Sequence, residues 1–291
     1  MPDEIDPRTS LGSVALTVRD LAATREFYER VVGLRTIESE PGVARLGVAG
    51  GPPLVELIGD PDAPSRPQGA TGLFHQAFLV PTRAELAHAV RRVAEAGWRL
   101  TGASDHLVSE ALYLEDPEGN GIEIYRDRPR ETWQSDEQGI RMATLPLDLR
   151  GLVEEELRGA QNGTAHAEMA RGTHIGHVHL NVGHLSAAEA FYSGLLGFEV
   201  TVRGYPGALF ASAGGYHHHI GLNTWLGEGA PAPPPGSCGL RSFEVVVPDV
   251  SEVDRIRERL IGAGEEVEQA GDDAISAGDP SGNRVVLRPA V

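Results

Sequence analysis

Apolar residues spaced two apart recur along the chain, and each such stretch is followed by a segment with helical spacing. Val14, Leu16 and Val18 form one alternating run and Val178, Leu180 and Val182 another; a period of two marks a strand with one buried face. After Pro81, Leu86, Val90 and Val93 fall at helical spacing, which predicts an amphipathic helix. Gly33, Gly97, Gly197 and Gly264 each close such a helix, where a left-handed cap costs no side-chain clash. Three short strands follow, separated by turns such as the D-P-x-G-N sequences that begin at Asp116 and Asp279. The predicted unit is βαβββ.

The unit is repeated. A constant offset of 164 residues superposes Val14, Leu16 and Val18 on Val178, Leu180 and Val182, then Phe27-Tyr28 on Phe191-Tyr192, and Gly33 on Gly197, without a gap. FLVP ending at Pro81 corresponds likewise to VVVP ending at Pro248. Four units of roughly 55 residues result, near 10–68, 72–127, 173–226 and 238–290, and residues 128–172 form a polar, acidic connector with a helix expected near 148–159. The fold class expected is α+β, with two units side by side making a curved sheet, helices outside and a concave face inside.

Composition narrows the partners. The 36 glycines and 20 prolines supply the turns of a sheet-rich fold. A formal charge of −17 argues against nucleic acid or an anionic membrane surface, which would repel the chain. No run approaches the roughly 20 apolar residues of a membrane-spanning helix. The opening MPDEIDPRTS lacks the basic start and apolar run of a secretory signal. Cys238 is the single cysteine, which excludes an internal disulfide and fits a reducing compartment, so a cytoplasmic protein is expected. A homo-oligomer is the expected assembly, because symmetric association is common among such proteins.

The repeated curved-sheet architecture resembles the vicinal oxygen chelate superfamily over nearly the whole chain. That resemblance implies a metal in the concavity, held from the first and last strands of paired units. Strand alternation then indicates which units supply ligands. With Val178, Leu180 and Val182 on the apolar face, His177, His179 and Asn181 point the other way, and in the second unit His75 and Ala77 do so opposite Phe78 and Val80. His75 and His177 occupy equivalent positions, where the first and fourth units have Ser13 and Ser242. In the closing strand of the second unit Glu123 lies between Ile122 and Ile124 and faces inward, whereas the fourth unit has Val286 there. Two histidines and a carboxylate are the set that holds Fe(II) on one face and leaves three positions open, with Mn(II) also suited. For the three to meet, the second unit must pair with the third across the connector.

The segments GLFHQAFLVP, SDHLVSEALYLEDPEGNGIEIYRDRP, IGHVHLNV and GGYHHHIGLNTW are together very similar to two-domain extradiol catechol dioxygenases of the Bacillus type. The resemblance implies a small aromatic diol and O2 as substrates and a ring-opened 2-hydroxymuconate semialdehyde as product, as in aromatic hydrocarbon catabolism. It makes His218 the acid–base catalyst, with His217 or His219 as alternatives, a role imidazole suits near neutral pH. It makes Tyr113, ten residues before Glu123, a hydrogen-bond partner of substrate oxygen. His106 corresponds to a further pocket histidine, although its spacing to Tyr113 is two residues shorter than in the better-known enzymes, and His179 faces the cup beside a ligand. His106, His179 and His219 are therefore expected to touch substrate or steady a neighbour. Fold alone does not decide among ring cleavage of a catechol, ring cleavage of a hydroquinone, a glyoxalase-like isomerase and a metal-free binding protein.

Overall fold

In a computed structural model the protein is described over residues 4–159 and 167–290. The first unit comprises β1 (Ser10–Val18), α1 (Leu21–Phe27), β2 (Arg35–Glu40), β3 (Val43–Gly47) and β4 (Pro53–Gly59). The second comprises β5 (Gly72–Leu79), α2 (Arg83–Glu95), β6 (Gly102–Asp105), β7 (Ser109–Glu115) and β8 (Gly121–Asp127). The connector carries β9 (Ser135–Asp136), β10 (Gly139–Ile140), β11 (Leu145–Pro146) and α3 (Leu149–Gly159). The third unit is β12 (His174–Asn181), α4 (Leu185–Glu189), β13 (Glu199–Val202), β14 (Ala208–Ser212) and β15 (Ile220–Asn223). The fourth is β16 (Gly239–Val247), α5 (Val250–Gly262), β17 (Val267–Gln269), β18 (Ile275–Gly278) and β19 (Arg284–Pro289). The βαβββ repeat is thus present four times, and Gly33, Gly97, Gly197 and Gly264 after the helices all have φ between 66° and 92°.

Pairing is crossed. One sheet of eight strands, ordered β17-β18-β19-β16-β1-β4-β3-β2, joins the fourth unit to the first. The other, ordered β11-β6-β7-β8-β5-β12-β15-β14-β13-β10-β9, joins the second to the third and has eleven strands because the connector extends both of its edges. Helices and apolar strand faces, including Leu16, Phe78, Leu180 and Val245, share one buried core.

The recurring Phe-Tyr pair has a structural cause. It lies where α1 and α4 widen into a π turn, over Tyr28–Val32 and Ala190–Leu195. Tyr28 donates toward Asp116 at 3.4 Å, and Tyr192 donates to Asp279 at 3.0 Å. Each odd unit is thereby tied to the D-P-x-G-N turn of the even unit that follows it, so units paired in different sheets remain joined within each half. Among the described residues no helix is long and apolar enough to cross a membrane.

Candidate metal centre and active site

β5 and β12 run antiparallel through the middle of the eleven-stranded sheet, with His75 opposite His179 and Ala77 opposite His177. On the other side of β5, the parallel β8 sets Glu123 beside Ala77. This register gathers three buried side chains. The Nε2 atoms of His75 and His177 are 3.3 Å apart, and Glu123 Oε2 lies 3.0 Å from the first and 3.1 Å from the second. Burial pushes the Glu123 carboxyl up, but the imidazoles of His177 and His75 outweigh it and hold the group well below the usual carboxylate range. Burial also drives His177 down to about 4, against the pull of Glu123. At neutral pH an uncharged imidazole therefore faces an ionised carboxylate.

The donor set fits a divalent ion. Donors at adjacent positions around a metal, each roughly 2.1 Å from it, stand about 3 Å apart, which is the size of this triangle. Two imidazole nitrogens and one carboxylate oxygen are a borderline-to-hard set suited to Fe(II) or Mn(II). The pseudo-equivalent place for a fourth ligand is closed. β12 pairs with β15 as β5 pairs with β8, so Gly221 sits opposite His179 where Glu123 sits opposite Ala77. A Cβ at Gly221 would come within 2.9 Å of the His179 ring. His179 takes up the space that a second carboxylate would need.

A cavity of about 390 Å³ opens over the triad, and Tyr113, His106, His179 and His218 are among its walls. Tyr113 is directly opposite Glu123 in the β7–β8 pairing, which is why ten residues and one tight turn separate them. Burial, reinforced by the charge of Glu123, pushes the Tyr113 hydroxyl well above its ordinary value, so it stays protonated. The Ala143 carbonyl can only accept, so His106 donates to it from Nδ1 at 2.7 Å and receives the Tyr113 hydroxyl at Nε2, also at 2.7 Å. The turn that presents His106 is strained: Leu107 has φ of 70°, the one positive φ outside glycine among the described residues.

His218 packs against His177 with ring centroids 4.1 Å apart and the ring planes tilted by 46°. Burial, then the neighbouring His177, hold it well below the usual imidazole range, so it is uncharged at neutral pH. Its Nδ1 is 2.8 Å from His217 Nδ1, and His217 Nε2 is 2.9 Å from Asp127 Oδ1. The Asp127 carboxylate oxygen accepts, so His217 donates from Nε2 and offers its Nδ1 lone pair. His218 must then donate from Nδ1, which leaves its Nε2 as a free base. His179 lies at the cavity wall, buried, with no partner at Nε2 among the described residues. His219 departs from expectation. Its ring is not among the cavity walls; it accepts from the Ala213 amide at 3.1 Å and packs on Tyr216.

Asp127 escaped the sequence reading although its position is regular, since Glu123, Tyr125 and Asp127 are spaced two apart on β8 and share a face. Met142 and Thr144 of the connector, with Tyr205 and Trp225 from turns of the third unit, also line the cavity. Thr144 and Tyr205 hydrogen-bond each other across it at 2.5 Å. No periodic signal marks such residues.

The Glyoxalase/Bleomycin resistance protein/Dioxygenase superfamily signature matches residues 10–124 and 174–287, and the chain belongs to that superfamily. Within it, the chain is 44% identical over 265 residues to Catechol-2,3-dioxygenase of Bacillus subtilis (strain 168), covering 90% of both proteins, and it is an extradiol dioxygenase of that type. Two solved structures share the fold. A putative dioxygenase from Bacillus subtilis subsp. subtilis str. 168 gives a TM-score of 0.67 at 14% identity, over 99% of this chain and 86% of that one. Glyoxalase I from Zea mays gives 0.59 at 17% identity, over 96% and 92%.

Proposed function

We propose that this chain opens the ring of a catechol beside one of its hydroxyls, using O2 and an Fe(II) ion held by His75, His177 and Glu123. Such an ion, when bound, supplies open positions for both diol oxygens and for dioxygen, and lets electron density pass between them. The remaining chemistry falls to the protein. His218, uncharged and with Nε2 free, accepts a proton from the diol and returns it when the O–O bond breaks. Tyr113, its one proton held by His106 Nε2, accepts at its oxygen from a substrate hydroxyl. His179 offers a further polar contact at the cavity wall.

One observation carries this reading: three buried lone-pair atoms converge at the floor of a cavity whose wall holds a base with its lone pair free. The name of the Bacillus subtilis relative agrees with it. A glyoxalase-like isomerisation is less well served, because Gly221 stands where a fourth ligand would be. Protein stripped of metal and reloaded anaerobically with ferrous iron should consume one O2 per catechol and turn yellow on exposure to air. Oxygen uptake with hydroquinones alone would shift the reading to that ring cleavage. No uptake, with turnover of the methylglyoxal hemithioacetal, would replace it with an isomerase.

A further inference from the structure

We infer that the cavity selects neutral catechols bearing an apolar ring substituent and rejects catechols bearing a carboxylate. The inference deepens the ring-cleavage reading and rests on it. Three observations carry it. The first is size: about 390 Å³ falls within the roughly 300–1,000 Å³ typical of pockets for larger organic ligands, more than a bare ring with two hydroxyls fills. The diol end is fixed at the triad, so the spare room lies toward the mouth.

The second observation is what surrounds that room. Phe74 and Trp225 stand at the mouth with ring centroids 5.3 Å apart, 41% and 46% exposed, and Tyr205 and Phe210 pack beside them at 5.6 Å. Grouped in this way they form a contiguous apolar patch of the kind that marks a binding groove. Met142, from the connector, completes the wall with a flexible side chain that adapts to shape. A flat or branched hydrocarbon group on the ring would bury these surfaces against itself.

The third observation is charge. Among the described residues no arginine or lysine lines the cavity, and besides Glu123 its one further carboxyl side chain is that of Glu115. Arg128 is committed elsewhere, pairing with Asp105 at 2.6 Å beside the lining residues Ser104 and His106. A substrate carboxylate would lose its water and gain no counter-ion. The net charge of −17 adds a repulsive field outside.

The test compares three groups of diols on the iron-loaded protein: catechol, 3- and 4-methyl or phenyl catechols, and 3,4-dihydroxybenzoate. Oxygen uptake gives kcat/KM, and anaerobic titration calorimetry gives Kd without turnover. The substituted neutral diols should be preferred over the carboxylate by at least about 100-fold in both measures. Met142→Arg should raise kcat/KM for the carboxylate by roughly 10-fold or more, because a counter-ion then faces the mouth. Comparable constants for the carboxylate and the neutral diols in the wild-type protein would overturn the selectivity while leaving ring cleavage standing. Absence of oxygen uptake with every diol would instead remove the ring-cleavage reading on which the inference rests.

Discussion

The two sheets have the same construction and opposite chemistry. In the sheet joining the second and third units, two imidazoles and a carboxylate converge with no cationic side chain among them. In the sheet joining the first and fourth, Ser13 and Ser242 replace the histidines, yet a carboxylate persists. Glu56 stands opposite Ala15 on β4 as Glu123 stands opposite Ala77 on β8. Its charge is spent on Arg45, whose Nε is 2.6 Å away. Glu244 is likewise engaged, accepting from the Ser13 amide at 2.9 Å and from Arg288 at 3.1 Å. All eleven histidines of the chain fall between His75 and His219, and neither outer unit has one. A concave sheet therefore makes a site only where its inward acceptors are left without protein donors.

That contrast can be broken from its strongest point downward. Glu123→Ala leaves two imidazoles without the carboxylate and should cost more metal affinity than the roughly 10–100-fold expected for loss of a group behind a ligand, read by metal content after dialysis. His218→Ala should keep its metal and lose roughly 100-fold or more in kcat; loss of metal instead would make His218 a ligand. Asp127→Asn leaves the cavity wall in place but frees His217 to adopt the other tautomer. It should lower kcat by about 10- to 100-fold with little change in KM, and an equal rise in KM would point to a packing defect.

Acid should separate the two sheets as well. His177 and His219, held by burial to about 4 and about 3, take up protons near 6.5 once unfolded. Below about pH 6.5 the unfolded metal-free chain then binds more protons than the folded one, so stability should fall as pH drops toward 4. Urea midpoints unchanged between pH 7 and pH 5 would contradict this. The smallest effect belongs to the outer sheet. Arg45 is partly exposed, and Arg45→Met should change stability by no more than about 1 kcal/mol and leave oxygen uptake intact.

Much of this was legible in the amino-acid order. A period of two fixed which side chains faced inward, and equal spacing to Val80 and Val182 identified His75 with His177. The absence of ligands from Ser13, Ser242 and Val286 implied the crossed pairing. What stayed hidden depends on departures from regularity. A strict alternation from His75 would turn Leu73 toward the cavity, but a register shift next to Phe74 sends Leu73 into the core and leaves Phe74 at the mouth. The connector reads as an acidic spacer because its strands are two residues long, too short for any periodicity, yet it supplies Met142, Ala143 and Thr144 to the site. Three adjacent histidines carry no mark of which side each takes, and only His218 of the three lines the cavity.

Crossed pairing has one more outcome. His75 and Glu123 lie before the connector and His177 after it, separated along the chain by 102 and 54 residues respectively. An ion gripping all three would act as a clasp across a long loop, the arrangement in which a cross-link removes most freedom from the unfolded chain. Neither half could hold it alone, so loading the metal would record that both halves have folded and met.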